Sequence, residues 1–152
     1  MFSFYLVLKF LHILAAIVAV GSNITYGVWN FRGAQEAAHL GFALKGIKFL
    51  DDRIANPAYG VVLLTGLIMV FVGNWSITSL WIIVALVLFV AIAVLGVAVY
   101  SPLLKNQIRL VEAGETGSPE FARLTNLGRR FGPGLGIIVV VILVMMVFKP
   151  TL

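Results

Sequence analysis

Apolar residues in this chain come in long runs, separated by two stretches that hold nearly all the charge. No formal charge occurs from Phe10 to Phe31, between Arg53 and Lys105, or from Phe131 to Phe148. One helical crossing of a bilayer needs roughly 20 apolar residues, so the middle run is long enough to cross twice. Its break falls at Gly73-Asn74-Trp75-Ser76, where glycine and asparagine favour a turn and Trp75 and Trp81 suit the boundary between water and lipid. The pattern predicts spans over about 4–29, 57–72, 78–100 and 131–148. Pro57 suits a first helical turn, where its missing N–H costs nothing. The first run is too long for the apolar part of a signal peptide and contains Lys9, so it reads as a retained span.

The two charged stretches, 30–56 and 101–130, follow the first and third spans and therefore share one side of the membrane. In the first, Leu40, Leu44, Ile47 and Ile54 approach a helical period, which predicts an amphipathic helix lying on the membrane or continuing the first span. Asp51 and Arg53 are expected to mark a helix boundary ahead of Pro57. In the second, Glu112-Ala113-Gly114-Glu115-Thr116-Gly117-Ser118-Pro119 is a turn cluster, and a short helix is expected from Ser118 or Pro119 to Leu127. The turn at Asn74 carries no basic residue. Counting Lys and Arg alone then places both charged loops in the cytoplasm and both termini outside, in a multi-pass protein of the cell membrane.

Composition agrees. Of 152 residues, 61% are apolar and only 11% charged, against roughly 25% charged in an ordinary soluble domain. The fold class expected is therefore all-α: a four-helix integral membrane bundle forming one domain, with an amphipathic helical first cytoplasmic loop. The absence of cysteine excludes disulfides, thiolate metal sites and cysteine nucleophiles. The net charge of +5 does not imply nucleic acid as a partner, because the charges sit in the gaps between spans. The expected surroundings are the lipid bilayer, with a second copy or a larger membrane complex as protein partners. The basic loops also suit anionic lipid.

Candidate chemistry concentrates in the first span. Lys9, His12, Ala16, Ala19, Asn23 and Tyr26 follow steps of three and four and form one polar face pointing into the bundle. His12 lies about 12 Å inside the hydrocarbon boundary at 1.5 Å per residue, and an ionisable group at that depth is a functional candidate by default. Three readings stand open: a neutral imidazole tying two helices together, a ligand to haem iron or another metal, or a proton relay. Lys9, one turn shallower, is expected to snorkel to the headgroups. Met69, Met145 and Met146 are weak candidates for a second haem ligand, since His/Met ligation is known chemistry and methionine is also ordinary packing. His39, the other histidine, belongs to the far loop, so a bis-histidine haem would need two copies or a sharply returning loop. Gly60, Gly66 and Gly96, with Ala85, Ala91 and Ala93, permit close approach of helices.

No HExxH, phosphate-binding glycine loop or GxSxG elbow is present, and all six acids fall in the two charged stretches. Asp51 and Asp52 are adjacent and point to different helix faces, which disfavours paired-carboxylate hydrolysis. The residues alone thus favour a non-enzymatic membrane component or accessory subunit. The alternative is a haem b protein of electron transfer or tetrapyrrole oxidation using His12. Ion permeation along Lys9, His12 and Asn23 is disfavoured by the lysine, which repels cations.

Lys9-Phe10-Leu11-His12 opening the first span with Gly21 following, Pro57 followed by Leu64-Thr65-Gly66, and Met146-Val147-Phe148-Lys149-Pro150 at the end resemble, in order and spacing, a family of bacterial integral membrane proteins, domain of unknown function 2269. That family is in turn similar to the superfamily of the copper-resistance D protein and membrane-bound protoporphyrinogen oxidase. The resemblance implies a histidine of the first helix, here His12, associated with haem b.

Overall fold

The computed structural model describes residues 3–150, and every regular element among them is helical. Six α-helices form: α1 (Phe4–Gln35), α2 (Leu40–Leu50), α3 (Asn56–Val72), α4 (Leu80–Leu95), α5 (Ser101–Glu112) and α6 (Pro119–Phe148). The pairs α2–α3 and α4–α5 are each continuous rods, so four helices long and apolar enough to span a membrane result: Phe4–Gln35, Ala37–Val72, Leu80–Glu112 and Pro119–Phe148. A helix of 30 residues is roughly 45 Å long, more than the ~30 Å hydrocarbon layer. The excess projects at the end of the bundle where the charges gather.

Both joints inside the long rods have the same construction. The backbone widens into one π-helical turn, at Asp51–Ala55 and again at Gly96–Tyr100. There the N–H groups of Asn56 and Ser101 donate five residues back, to the carbonyls of Asp51 and Gly96. A proline stands just beyond each turn, Pro57 and Pro102. A proline ring clashes with the carbonyl four residues earlier and offers no N–H to it; one extra residue in the turn relieves that conflict without ending the helix. The boundary expected at Asp51–Arg53 is therefore absent. The short helix expected to stop at Leu127 does not stop either. Ser118 caps α6, its Oγ accepting from the Phe121 N–H at 3.1 Å, and the helix runs on through Gly132-Pro133-Gly134 to Phe148.

The rods pair as two hairpins. The first joins α1 to α2–α3, and the second joins α4–α5 to α6; the two meet mainly where α2 crosses α5. Along α1 the buried residues are Leu8, Ala15, Ala19, Ser22, Tyr26 and Gly33, with His12 half-buried among them. Their alternating steps of three and four are the repeat of a left-handed helix crossing. At the charged end, Tyr26, Leu44, Ile47, Ala55 and Leu104 make one apolar cluster, and Leu103, Leu110 and Leu124 a second. The amphipathic reading of α2 is thus realised by Leu44 and Ile47, while Ile54 is exposed; its expected place is corrected, because the chain breaks at the extended Glu36 and α2 continues into the second span instead of the first. In α6 only Leu124 is buried, and from Phe131 to Phe148 no residue is.

Candidate functional site

The seam between α1 and α3 carries the polar chemistry. His12 Nδ1 lies 3.0 Å from the Val62 carbonyl oxygen and 3.1 Å from Thr65 Oγ1. The Thr65 hydroxyl spends its one proton on the Val61 carbonyl at 2.5 Å, so towards the imidazole it is an acceptor. Both partners accept, which assigns the ring proton to Nδ1 and leaves the Nε2 lone pair without a bonded partner among the described residues. The ring approaches this closely because residue 66 is glycine: a Cβ there would stand 3.0 Å from His12 Cε1 and 3.4 Å from Nδ1. Val62, Thr65 and Gly66 share one face of α3, and Met69 continues that face one turn further.

Two to four turns nearer the charged end the seam continues. The Asn23 side-chain amide donates to the Tyr59 hydroxyl, and the Tyr59 ring meets Phe89 of α4 edge-on at 6.0 Å. The Tyr26 hydroxyl donates to Asp51 Oδ1 at 3.4 Å, and the Tyr26 ring stacks on Tyr100 at 6.1 Å. Asp51 and Tyr100 each belong to one of the two π-helical turns, so the widened joints of the two hairpins face each other across these rings. Asp51 is buried, whereas its neighbour Asp52 is exposed and pairs with Lys48. The adjacent carboxylates do point to different surroundings.

Of the face expected on α1, His12, Asn23 and Tyr26 contribute to this seam, while Lys9 is exposed on its flank. Met145 and Met146 are half-buried on α6, which packs chiefly against α4 and α5 and only slightly against α1. His39 is exposed beyond the end of α1 and bonds Glu36 at 2.9 Å. With 23 helical steps from His12 to Gln35, the two histidines stand roughly 35 Å apart along the axis, too far to share one iron. Among the described residues no three His, Asp or Glu side chains converge as a metal centre. Thr65, Tyr59 and Tyr100 were not singled out as partners by the sequence pattern. Their only signal there was a hydroxyl within or at the edge of an apolar run.

At the opposite end, the indoles of Trp75 and Trp81 meet edge-to-face at 5.5 Å. The Lys149 ammonium stands over them at 4.3 and 5.2 Å.

Four apolar rods longer than the hydrocarbon layer, with the polar side chains of the α1–α3 seam turned to one another and large apolar side chains exposed along the rods, define a polytopic integral membrane protein. The chain belongs to the DUF2269 family of predicted integral membrane proteins, whose model matches residues 6–150. No curated protein and no solved structure matches it.

Proposed function

We propose that this integral membrane protein is a non-enzymatic component of the cell membrane, an accessory subunit whose polar first-helix seam fixes the fold that it presents to a larger assembly. The observation that carries the reading is the closure of that seam: His12 bonds Val62 and Thr65, Asn23 bonds Tyr59, and Tyr26 bonds Asp51. Polar pairs of this kind hold helices together where apolar contact alone does not distinguish a helix from a lipid tail. The orientation proposed has both termini outside. All Lys and Arg except Lys9 and Lys149 belong to the charged end, and such an excess is retained in the cytoplasm. Reporter fusions at residue 150 and near Asp51 are expected in opposite compartments. For the seam, protein purified from cells supplied with a haem precursor is expected to show no Soret band, and His12→Ala to unfold at a lower temperature in the same detergent. A Soret band present in the parent and lost in His12→Ala overturns the structural reading.

One observation favours a second reading, haem b binding. A ligating histidine characteristically donates its other ring nitrogen to a carbonyl, which fixes ring orientation and raises ligand basicity. His12 Nδ1 does this towards Val62, so its Nε2 has the right protonation to hold an iron. Met69, on the same face of α3, is the first candidate for a second ligand, and a second copy of the chain is the other. Haem b held there would supply one-electron transfer. The residues' part would be orientation by Val62 and Thr65 and clearance by Gly66.

A further inference from the structure

The amino-terminal third of α6 has two distinct faces. One face packs on α5: Leu124 and Phe121 meet Leu103 and Leu110, and Thr125 accepts from Gln107 at 3.2 Å. The other is exposed and presents Arg123, Asn126, Leu127 and Arg130 as one open patch. The nearest acid, Glu120, sits one turn before Arg123 but faces Arg109 of α5 at 3.8 Å. Neither Arg123 nor Arg130 has a carboxylate partner among the described residues.

The same face continues upward without interruption. Steps of three and four from Arg130 pass Pro133 and Gly134, which carry little side-chain bulk, and then reach Ile137, Val140, Val144 and Val147. These four are exposed, at 67%, 58%, 42% and 72%. Arg130 directly precedes the charge-free run, so this patch lies at the edge of the hydrocarbon layer. A cationic foot at the water boundary beneath an apolar strip has the charge and polarity profile of an anionic phospholipid, inverted. A second copy of the chain would place like charges against like at this patch. A free phosphate would leave the strip uncovered.

We propose that this face of α6 binds one anionic phospholipid, its phosphate between Arg123 and Arg130 and an acyl chain along Ile137 to Val147. The test is thermal unfolding of the full chain in maltoside micelles, titrated with phosphatidylglycerol, phosphatidylcholine of the same chains, or inorganic phosphate. Phosphatidylglycerol is expected to raise the unfolding midpoint and the other two to leave it unchanged, since only a ligand of the folded state stabilises. In R123Q/R130Q the half-maximal phosphatidylglycerol concentration should rise roughly thirty-fold, the loss of two arginines beside an anionic headgroup. R123K/R130K keeps most of the response, and R32Q/R53Q, with its charges elsewhere at the same end, changes it less than three-fold. Helical circular dichroism of each variant identifies any that fail to fold.

An unchanged half-maximal concentration in R123Q/R130Q overturns the proposal, as does an equal shift with phosphatidylcholine. A shift reproduced by inorganic phosphate removes the acyl strip and overturns it too. A stable dimer that cross-links in I137C and V144C variants assigns the face to a second copy and overturns the proposal.

Discussion

The two hairpins use similar helices of similar length, yet only the first is closed by its own side chains. Between α1 and α3 small residues and polar pairs alternate: Ala15, Ala19 and Ser22 let the backbones approach, and His12 and Asn23 find partners on α3. In the second hairpin α4 buries Trp81, Ile82, Ala85 and Ile92, but α6 returns no buried residue above Leu124. Hydrocarbon makes this difference intelligible. A valine facing lipid and a valine facing a helix are solvated almost alike, so helix association rests on close packing and hydrogen bonds. The first hairpin has both, whereas the second packs α4 on α6 without a side-chain hydrogen bond between them among the described residues, and has further fastenings near its ends. One fastening is the α5–α6 contact, which is built like the core of a soluble protein. The other is the Trp75–Trp81–Lys149 contact.

Equal truncations in the two hairpins should therefore cost unequal amounts, and this is the largest contrast expected. Ile47 is fully buried and Ile137 is 67% exposed. Ile47→Ala leaves a cavity and should destabilise by about 3 kcal/mol; Ile137→Ala should stay within about 0.5 kcal/mol. Denaturant titration of the full chain in one detergent measures both. Comparable losses would show that something absent from the isolated chain packs on α6, and the comparison of hairpins would fail.

Glycines give the next contrast. Gly66→Val forces a side chain into the His12 ring, so the imidazole must leave Val62 and Thr65 or α1 must shift. Overpacking of this kind should cost about 2 kcal/mol. Gly136 has no atom within 4 Å of an added Cβ, so Gly136→Val should be neutral to within about 0.5 kcal/mol. Equal midpoints for Gly66→Val and the parent would mean that the seam tolerates a displaced histidine and that His12 is not what holds α1 to α3.

How much of this was legible in the sequence depends on the kind of signal. The four apolar runs, the turn at Asn74 and the amphipathic α2 follow from periodicity and charge placement, because hydrocarbon admits few other arrangements of backbone. The polar face of α1 was legible to within one residue of rotation. Leu8, Ala15 and Ser22 are buried where Lys9, Ala16 and Asn23 were expected, Ala19 and Tyr26 are buried as expected, and the half-buried His12 and Asn23 bond α3 from the edge of that stripe. The two joints were not legible. Proline after Asp51 and after Tyr100 reads as a helix boundary, and nothing local reveals that one widened turn absorbs it. Nor could an apolar pattern show which faces of α4 and α6 meet, since α4 and the stretch of α6 from Phe131 to Phe148 are apolar on nearly every side.

The smallest effect expected isolates the outer fastening of α6. Lys149 adopts the left-handed region, with φ 44°, at the end of that helix, a conformation that costs a residue with a Cβ roughly 1 kcal/mol. Its ammonium faces the indoles of Trp75 and Trp81 from that position. Lys149→Gln keeps the backbone cost and removes the cation, so it should lose about 0.5 kcal/mol and shift tryptophan emission. Lys149→Gly relieves the backbone while also removing the cation. If the contact contributes, the glycine variant gains less than the relief of strain alone would give, and Lys149→Arg stays at the parent value. If Lys149→Gln unfolds with the parent and its emission is unchanged, the aromatic pair does not hold α6, and the second hairpin rests on the packing of α6 against α4 and α5.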